Sequence, residues 1–385
     1  MRTNKVLALF MPSETPFYFG LFKAMKKSFE TNGFSVVGAC QLLEDKELKN
    51  FINQYNPSIF FEMNRCKAEI NHFPENILHI CWIVDLWGRK LSDIKGSEII
   101  YFFSTEWLKD FKADYHCKID WLPPASDPDT YFPIKNSEKL YNSVFVGHIS
   151  NPWEERLLKR IIYKKNNTEI LFSDILDNFE YPWAIQDDIV NNDCYIKEVT
   201  AWIKKRFSVN VDINDSVLRY DIGCRIIRKG RREVFLDWLL SNTQIQPLAI
   251  FGSENWTKWA KYKPYYKNEL KTPNEMNKVF NQSNTVIHEG VGFHFRLFDA
   301  MLSGIPILLR KSKQDSLEGG LNTYFEENID YISYDLSKTN NSYTNTISKE
   351  TLKEISENGR KKALKYHTWD TRLLKVAKDI NEFYQ

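Results

Sequence analysis

Val286-Ile-His-Glu-Gly-Val-Gly-Phe-His-Phe-Arg-Leu-Phe-Asp-Ala-Met-Leu-Ser-Gly-Ile-Pro306 decides how this chain folds. An apolar run ends at His288, a glycine-containing loop follows, and a helical pattern opens at Phe295. That pattern stops at Ser303-Gly304, just before a second apolar run, Ile305–Leu309. Strand, loop, helix and strand in this order make a βαβ unit of a parallel sheet. Such sheets bind ligands in the loops beyond the carboxyl ends of their strands. Gly290 and Gly292 let a ligand approach the backbone closely. The helix start at Phe295 offers N–H groups and a positive dipole end to a phosphate. Arg296 adds a bidentate phosphate donor, and Asp299, one turn on, is placed to accept hydrogen bonds from ribose hydroxyls. Glu289, His288 and His294 stand at the same strand end. The alternative for Arg296 and Asp299 is an i,i+3 ion pair on an exposed helix face.

Working outward, the same alternation runs through the chain. In the first third, Lys5–Phe10, Ser35–Ala39, Ser58–Glu62, His79–Val84 and Glu98–Phe103 read as strands. Helical patterns lie between them at Tyr18–Asn32 and Asp45–Asn53. Trp121-Leu-Pro-Pro-Ala-Ser-Asp-Pro-Asp-Thr-Tyr-Phe-Pro133 holds four prolines in thirteen residues and marks a linker. A second series begins with the strand Ser143–Val146 and a helix over Glu154–Tyr163. It continues with the strands Pro247–Phe251 and Thr285–His288, and the chain closes on helices at Glu350–Lys365 and Thr371–Phe383. The expectation is an α/β protein of two Rossmann-like domains with parallel sheets. The N-terminal domain spans residues 1–133 and the C-terminal domain 134–365, with a helical insertion at about 174–238. A final helix, 366–385, returns to the N-domain. Thr339–Asn345 reads as an exposed loop.

With 385 residues, 43% of them apolar, the chain has the length and the apolar content for two cores. Its 52 basic and 50 acidic residues give no global field for nucleic acid or an anionic membrane. Any phosphate-bearing partner must meet a local site. Six scattered cysteines without a CxxC spacing indicate reduced thiols in the cytoplasm. No apolar run approaches the ~20 residues that span a bilayer. A peripheral membrane contact is left open.

The segment Asp299-Ala-Met-Leu-Ser-Gly-Ile-Pro306 resembles the donor motif of group-1 glycosyltransferases of the GT-B fold, with aspartate in place of the usual glutamate. Four further pieces resemble the spore-maturation-protein (CgeB-like) branch of that group. They are the proline linker, Val144-Phe-Val-Gly147, Leu248-Ala-Ile-Phe-Gly-Ser-Glu-Asn-Trp256, and His367-Thr-Trp-Asp-Thr-Arg372. The resemblance covers Trp121 to the C-terminus; the N-terminal third matches only in its βαβ character. It implies a nucleotide-diphosphate sugar donor, most simply a UDP-sugar, no cofactor, no metal and no stable nucleic-acid partner. The sugar would pass to a hydroxyl of a glycan, protein or small-molecule acceptor. It also implies that Asp299 stands where the family's donor carboxylate does. The first carboxylate of the family's E-x7-E pair would fall at Val291, which is not acidic, so stereochemistry stays open. A degenerate donor-binding partner protein and a nucleic-acid base glycosylating enzyme are the alternatives.

The remaining candidates follow from position. Gly147 and His148, after a strand, present a turn whose backbone N–H groups suit phosphate. Gly252 ends the next strand, and Trp256 is placed either to stack on a base or to fill the core. Arg225-Ile-Ile-Arg-Lys-Gly-Arg-Arg232 packs five cations into eight residues. Arg225 and Arg228 read there as diphosphate lining, against the alternative of a solvated helix face. Asp85, ending His79–Val84, is the leading candidate for the base that receives the acceptor proton, followed by Glu14 after the first strand. Glu62 and Asn64 are weaker candidates, and His79 reads as a core histidine. Asp127-Pro-Asp129 has the form of a metal-binding DxD but sits in the linker.

Overall fold

The computed structural model describes residues 5–86, 88–180, 192–241, 245–290, 292–336 and 348–385. The first sheet is built from β1 (Val6–Phe10), β2 (Ser35–Ala39), β3 (Ile59–Met63), β4 (Leu78–Ile83), β5 (Ile99–Phe102) and β6 (Lys118–Trp121). All six pair in parallel, in the order β2-β1-β3-β4-β5-β6. The helices α1 (Pro16–Thr31), α2 (Asp45–Tyr55) and α3 (Thr105–Asp110) connect them. Residues of β3, β4 and β5 are buried throughout, because helices and loops cover both faces of a parallel sheet. Thr15 caps α1 by accepting from the Tyr18 N–H, and Pro16 occupies the first helical turn, where no intrahelical donor is missed.

The second sheet contains β7 (Tyr141–Val146), β10 (Leu248–Phe251), β11 (Ser283–His288), β12 (Ile307–Arg310) and β13 (Ile332–Tyr334). It is also parallel, in the order β10-β7-β11-β12-β13. Between β7 and β10 lies an insertion. It starts with α4 (Glu155–Leu158) and an antiparallel hairpin, β8 (Ile161–Lys165) and β9 (Thr168–Leu171). It continues with α5 (Phe172–Asn178), α6 (Asn192–Phe207), α7 (Ser216–Tyr220), a π-helical turn at Asp221–Arg225, and α8 (Ile226–Ser241). The insertion has its own core of Ile170, Phe172, Ile175, Val199, Ile203, Ile222 and neighbours. The helix expected over Glu154–Tyr163 therefore stops at Leu158, and the elaboration begins before residue 174, with strands. The loop expected at Thr339–Asn345 lies outside the described residues.

The chain ends with α9 (Pro273–Asn281) and α10 (Phe295–Leu302) on the second sheet, then α11 (Lys349–Tyr366) and α12 (Trp369–Phe383). α12 leaves the C-domain and packs on α1: Trp369, Leu373, Val376 and Ile380 join Leu7, Met25, Ile80 and Trp82 in one core. Asp379 of α12 takes hydrogen bonds from the Tyr101 hydroxyl at 2.5 Å and from Lys118 at 2.6 Å. The returning helix is as expected. The two interdomain crossings run side by side. Ser126 N–H donates to the His367 carbonyl at 3.0 Å, and Trp369 N–H donates to the Ser126 carbonyl at 3.3 Å.

Candidate donor and acceptor site

The order of the second sheet reverses between β7 and β11, the place where an open α/β sheet forms its crevice. A cavity of about 520 Å³ opens there. Its C-domain wall includes Gly147, His148, Gly252, His294, Arg296 and Asp299, and its opposite wall is the apolar face of α1 with Gly20, Leu21 and Ala24. The linker contributes Ser126, Asp127 and Tyr131. Residues far apart in sequence thus meet around one space between the domains.

At its floor, β7 and β10 end against each other. A Cβ on Gly252, whose φ is +140°, would sit 1.9 Å from the Gly147 carbonyl oxygen, so only glycine fits. The Gly147 N–H is taken by the Phe251 carbonyl at 2.9 Å. That corrects one expectation: this N–H is not offered to phosphate. Trp256 is fully buried and donates to the Gly147 carbonyl at 2.9 Å, so it is core, not a platform for a base.

The loop after β11 carries the charge. Arg296 is turned inward and donates to the Val146 carbonyl at the end of β7. Asp299 is buried on the same helix and accepts the Ser126 hydroxyl at 2.6 Å. The exposed ion pair that formed the alternative reading is absent. Burial raises Asp299 to about 7, opposed by the Ser126 hydrogen bond and Arg296. His294 caps α10: its Nδ1 accepts the Arg296 N–H at 3.2 Å. Part of the helix start is therefore satisfied by the protein itself. Phe295 lines the cavity but plugs the N-domain core, with ring centroids 5.0 Å from Phe17, 5.7 Å from Phe103 and 6.0 Å from Trp82. Gly290 and Gly292 flank Val291, which lies outside the described residues.

Arg232 is the residue that position in sequence did not single out. It is buried on α8 and donates to Glu289 at 2.7 Å. Burial works against the Glu289 charge, yet Arg232, His288 and Arg296 hold this carboxyl well below the usual range. Arg232 Nη1, Glu289 Oε2 and both ring nitrogens of His288 are buried without a hydrogen-bond partner. Buried polar atoms of native proteins nearly always have partners, so these four, gathered where α8 meets the end of β11 and just behind the cavity wall, mark the place as a candidate for a ligand. His148, whose ring bonds Ser253 Oγ at 3.0 Å, is lowered to about 4 by burial and by Arg232, Arg228, Arg225 and Arg296. Four guanidinium groups thus act on His148, of which Arg296 alone lines the cavity.

Arg225 and Arg228 part company. Arg225 lies over the Trp153 ring at 4.5 Å and donates to the Asn151 carbonyl, outside the cavity. Arg228 crosses to the N-domain and stands 3.8 Å from the Asp85 carboxylate. Asp85 is placed by Asn64, whose Oδ1 accepts the Val84 and Asp85 N–H groups at 2.7 and 2.9 Å. The insertion closes over it: buried Arg219 donates to the Gly88 carbonyl at 3.1 Å, and Lys90 reaches Asn214 at 3.3 Å. Glu14 is exposed and is not part of the cavity wall, although its neighbour Thr15 is. Glu62 is buried in a network with Arg65 and His79, away from the cleft, and His79 is the expected core histidine. Asp127 and Asp129 are engaged within the linker and by Lys27. Among the described residues, no group of three or more His, Cys, Asp or Glu side chains could hold a metal ion, and no helix is long and apolar enough to cross a membrane.

Residues 228–378 match the glycosyl transferase-like family. No curated protein matches the chain. Among solved structures, it is similar to sucrose-phosphate synthase from Thermosynechococcus elongatus, with 9% identity over 99% of both chains and a TM-score of 0.57. It is also similar to Anabaena Alr3699/HepE in complex with UDP-glucose, with 11% identity over 98% of this chain and 99% of that one, at a TM-score of 0.55. An alpha-glucosyltransferase in complex with UDP and a 13-mer DNA gives 11% identity over 97% and 98%, at 0.52. The two parallel sheets, the cavity at the switch of strand order and these likenesses give the chain the GT-B fold, within which residues 228–378 match the glycosyl transferase-like family.

Proposed function

We propose that the protein transfers a sugar from a nucleotide-diphosphate donor, most simply a UDP-sugar, to an acceptor hydroxyl in the cytoplasm. The observation that supports this reading is the buried pair Arg296 and Asp299 in the wall of the cavity at the mouth of β7 and β11, backed by the unpartnered buried polar atoms of His288, Glu289 and Arg232 behind it. Asp299 takes the ribose hydroxyls. Arg228, Arg232 and Arg296 offset the charge that develops on the leaving diphosphate, a role that needs no bound cation. Asp85, which stands 3.8 Å from Arg228 beneath the insertion, receives the acceptor proton. The insertion then limits which acceptors reach Asp85. Closure of the domains keeps water from the donor. The CgeB-like branch of the group-1 glycosyltransferases is the family position this reading favours.

Calorimetric titration with UDP and a panel of UDP-sugars tests the donor site. Asp299→Ala weakens binding tenfold or more, about 1.4 kcal/mol. Asp85→Asn leaves UDP binding intact and removes transfer to any acceptor found. Unchanged UDP affinity in Asp299→Ala rules the site out. Excess EDTA leaves activity in place.

A further inference from the structure

Asp299 is held from across the domain boundary: its hydrogen-bond partner comes from the linker. Ser126 belongs to the linker, and its backbone is bonded on one side to the His367 carbonyl and on the other to the Trp369 N–H. It forms a parallel bridge with Thr368. The two chain crossings between the domains therefore meet at this residue, which is itself buried. From that fixed point its hydroxyl reaches Asp299 Oδ1 at 2.6 Å. No described residue donates to Oδ2, and both residues line the cavity.

We propose that Ser126 is a positioning residue for the donor: anchored between the two crossings, it turns the Asp299 carboxylate so that one oxygen is held by the hinge and the other is offered to the ribose hydroxyls of a nucleotide. This inference rests on the donor reading above. It also links ribose binding to the segment about which the domains move.

Charge supports the geometry. Asp299 is surrounded by few groups that stabilise an anion. Arg296 of its own helix favours ionisation, while Asp127 of the linker opposes it, and the Tyr131 phenol faces it from the linker as well. The α1 wall brings no charge, its lining residues being Pro16, Phe17, Gly20, Leu21 and Ala24. With burial the largest influence, the Ser126 hydroxyl is a principal contribution that keeps the carboxylate charged near neutrality. A charged carboxylate accepts from two ribose hydroxyls; a protonated one loses acceptor capacity.

UDP affinity measured by calorimetry from pH 5.5 to 8.5 tests the proposal. The wild-type affinity falls as pH drops below about 7. Ser126→Ala moves that fall upward by about one to two pH units, the worth of one charge-assisted hydrogen bond. Ser126→Thr, which keeps the hydroxyl, restores the wild-type profile. Asp299→Asn binds weakly and keeps only the pH dependence of the UDP phosphate itself, which is the same whether residue 126 is serine or alanine. A Ser126→Ala protein that unfolds cooperatively and keeps the wild-type profile overturns the inference, as does a shift between serine and alanine at 126 that persists in Asp299→Asn. A wild type that binds UDP at no pH overturns the donor reading and this inference with it.

Discussion

Asp299 shows a conflict between stability and binding at a single residue. Its folded carboxyl titrates at about 7, above the ordinary value of 3.8. The stability it contributes is complete below 3.8 and is lost as pH rises through about 7. Asp299→Asn removes that loss, so the variant is more stable than wild type at pH 8, by about 2–4 kcal/mol, and equal to it near pH 4. Urea unfolding at the two pH values checks this. Buried His288 and His367 act in the opposite sense in both proteins. They are lowered to about 4 and about 2, so stability falls as pH drops below the ordinary imidazole range. Comparing the two proteins at equal pH cancels that term. Arg232 gives a second residue-level test. With side chains only 8% and 11% exposed, Arg232 and Glu289 are a buried pair. Arg232→Ala leaves Glu289 uncompensated and costs about 3–5 kcal/mol, and Arg232→Met with Glu289→Leu recovers most of it. Nothing in the run Arg225–Arg232 distinguished Arg232 from its neighbours. A helix period separates faces, but which face meets Glu289 depends on how α8 lies across β11.

At the level of elements, long apolar runs were legible and short mixed ones were not. β1, β3, β4, β10 and β12 carry apolar runs that only a sheet covered on both faces accommodates. β6, Lys-Ile-Asp-Trp, is only half-buried and has no such run. β8 and β9 did have a signal, two β-rich runs around Asn166-Asn167, with Asn166 at φ +53°. The charged helical pattern of Glu154–Arg160 masked it. Gly359 is the converse. In the sequence it weakens a helix, since glycine costs about 1 kcal/mol relative to alanine. In α11 a Cβ there would lie 2.4 Å from the Asp330 carbonyl oxygen. Gly359→Ala therefore destabilises the protein, by about 1–3 kcal/mol, despite its better helix propensity. Thermal unfolding decides it, and a raised Tm would refute the packing argument.

For the whole molecule, the two cores are joined by what crosses between them. Phe295 belongs to the C-domain by sequence and to the N-domain core by contact, while α12 supplies that core from the far end of the chain. Leu373→Ala, in α12, thus destabilises a domain whose first strand lies more than three hundred residues earlier. The expected loss is about 2–5 kcal/mol in urea, with UDP binding retained under native conditions. A loss confined to α12 fraying, leaving the main transition unmoved, would show the helix to be an accessory.

The sequence by itself determined the two parallel sheets, the returning helix and the loop from His288 to Gly304, which the fold sets beside the interdomain cavity. Those features depend on local patterning: apolar runs and glycines at strand ends. Only the tertiary structure decided which polar groups face that place. It turned Trp256 and Arg225 away, spent the Gly147 N–H within the sheet, brought Arg232 in, and set Ser126 of the linker against Asp299. The direction of a side chain is settled by what packs behind it, and those neighbours lie up to 173 positions away in the chain.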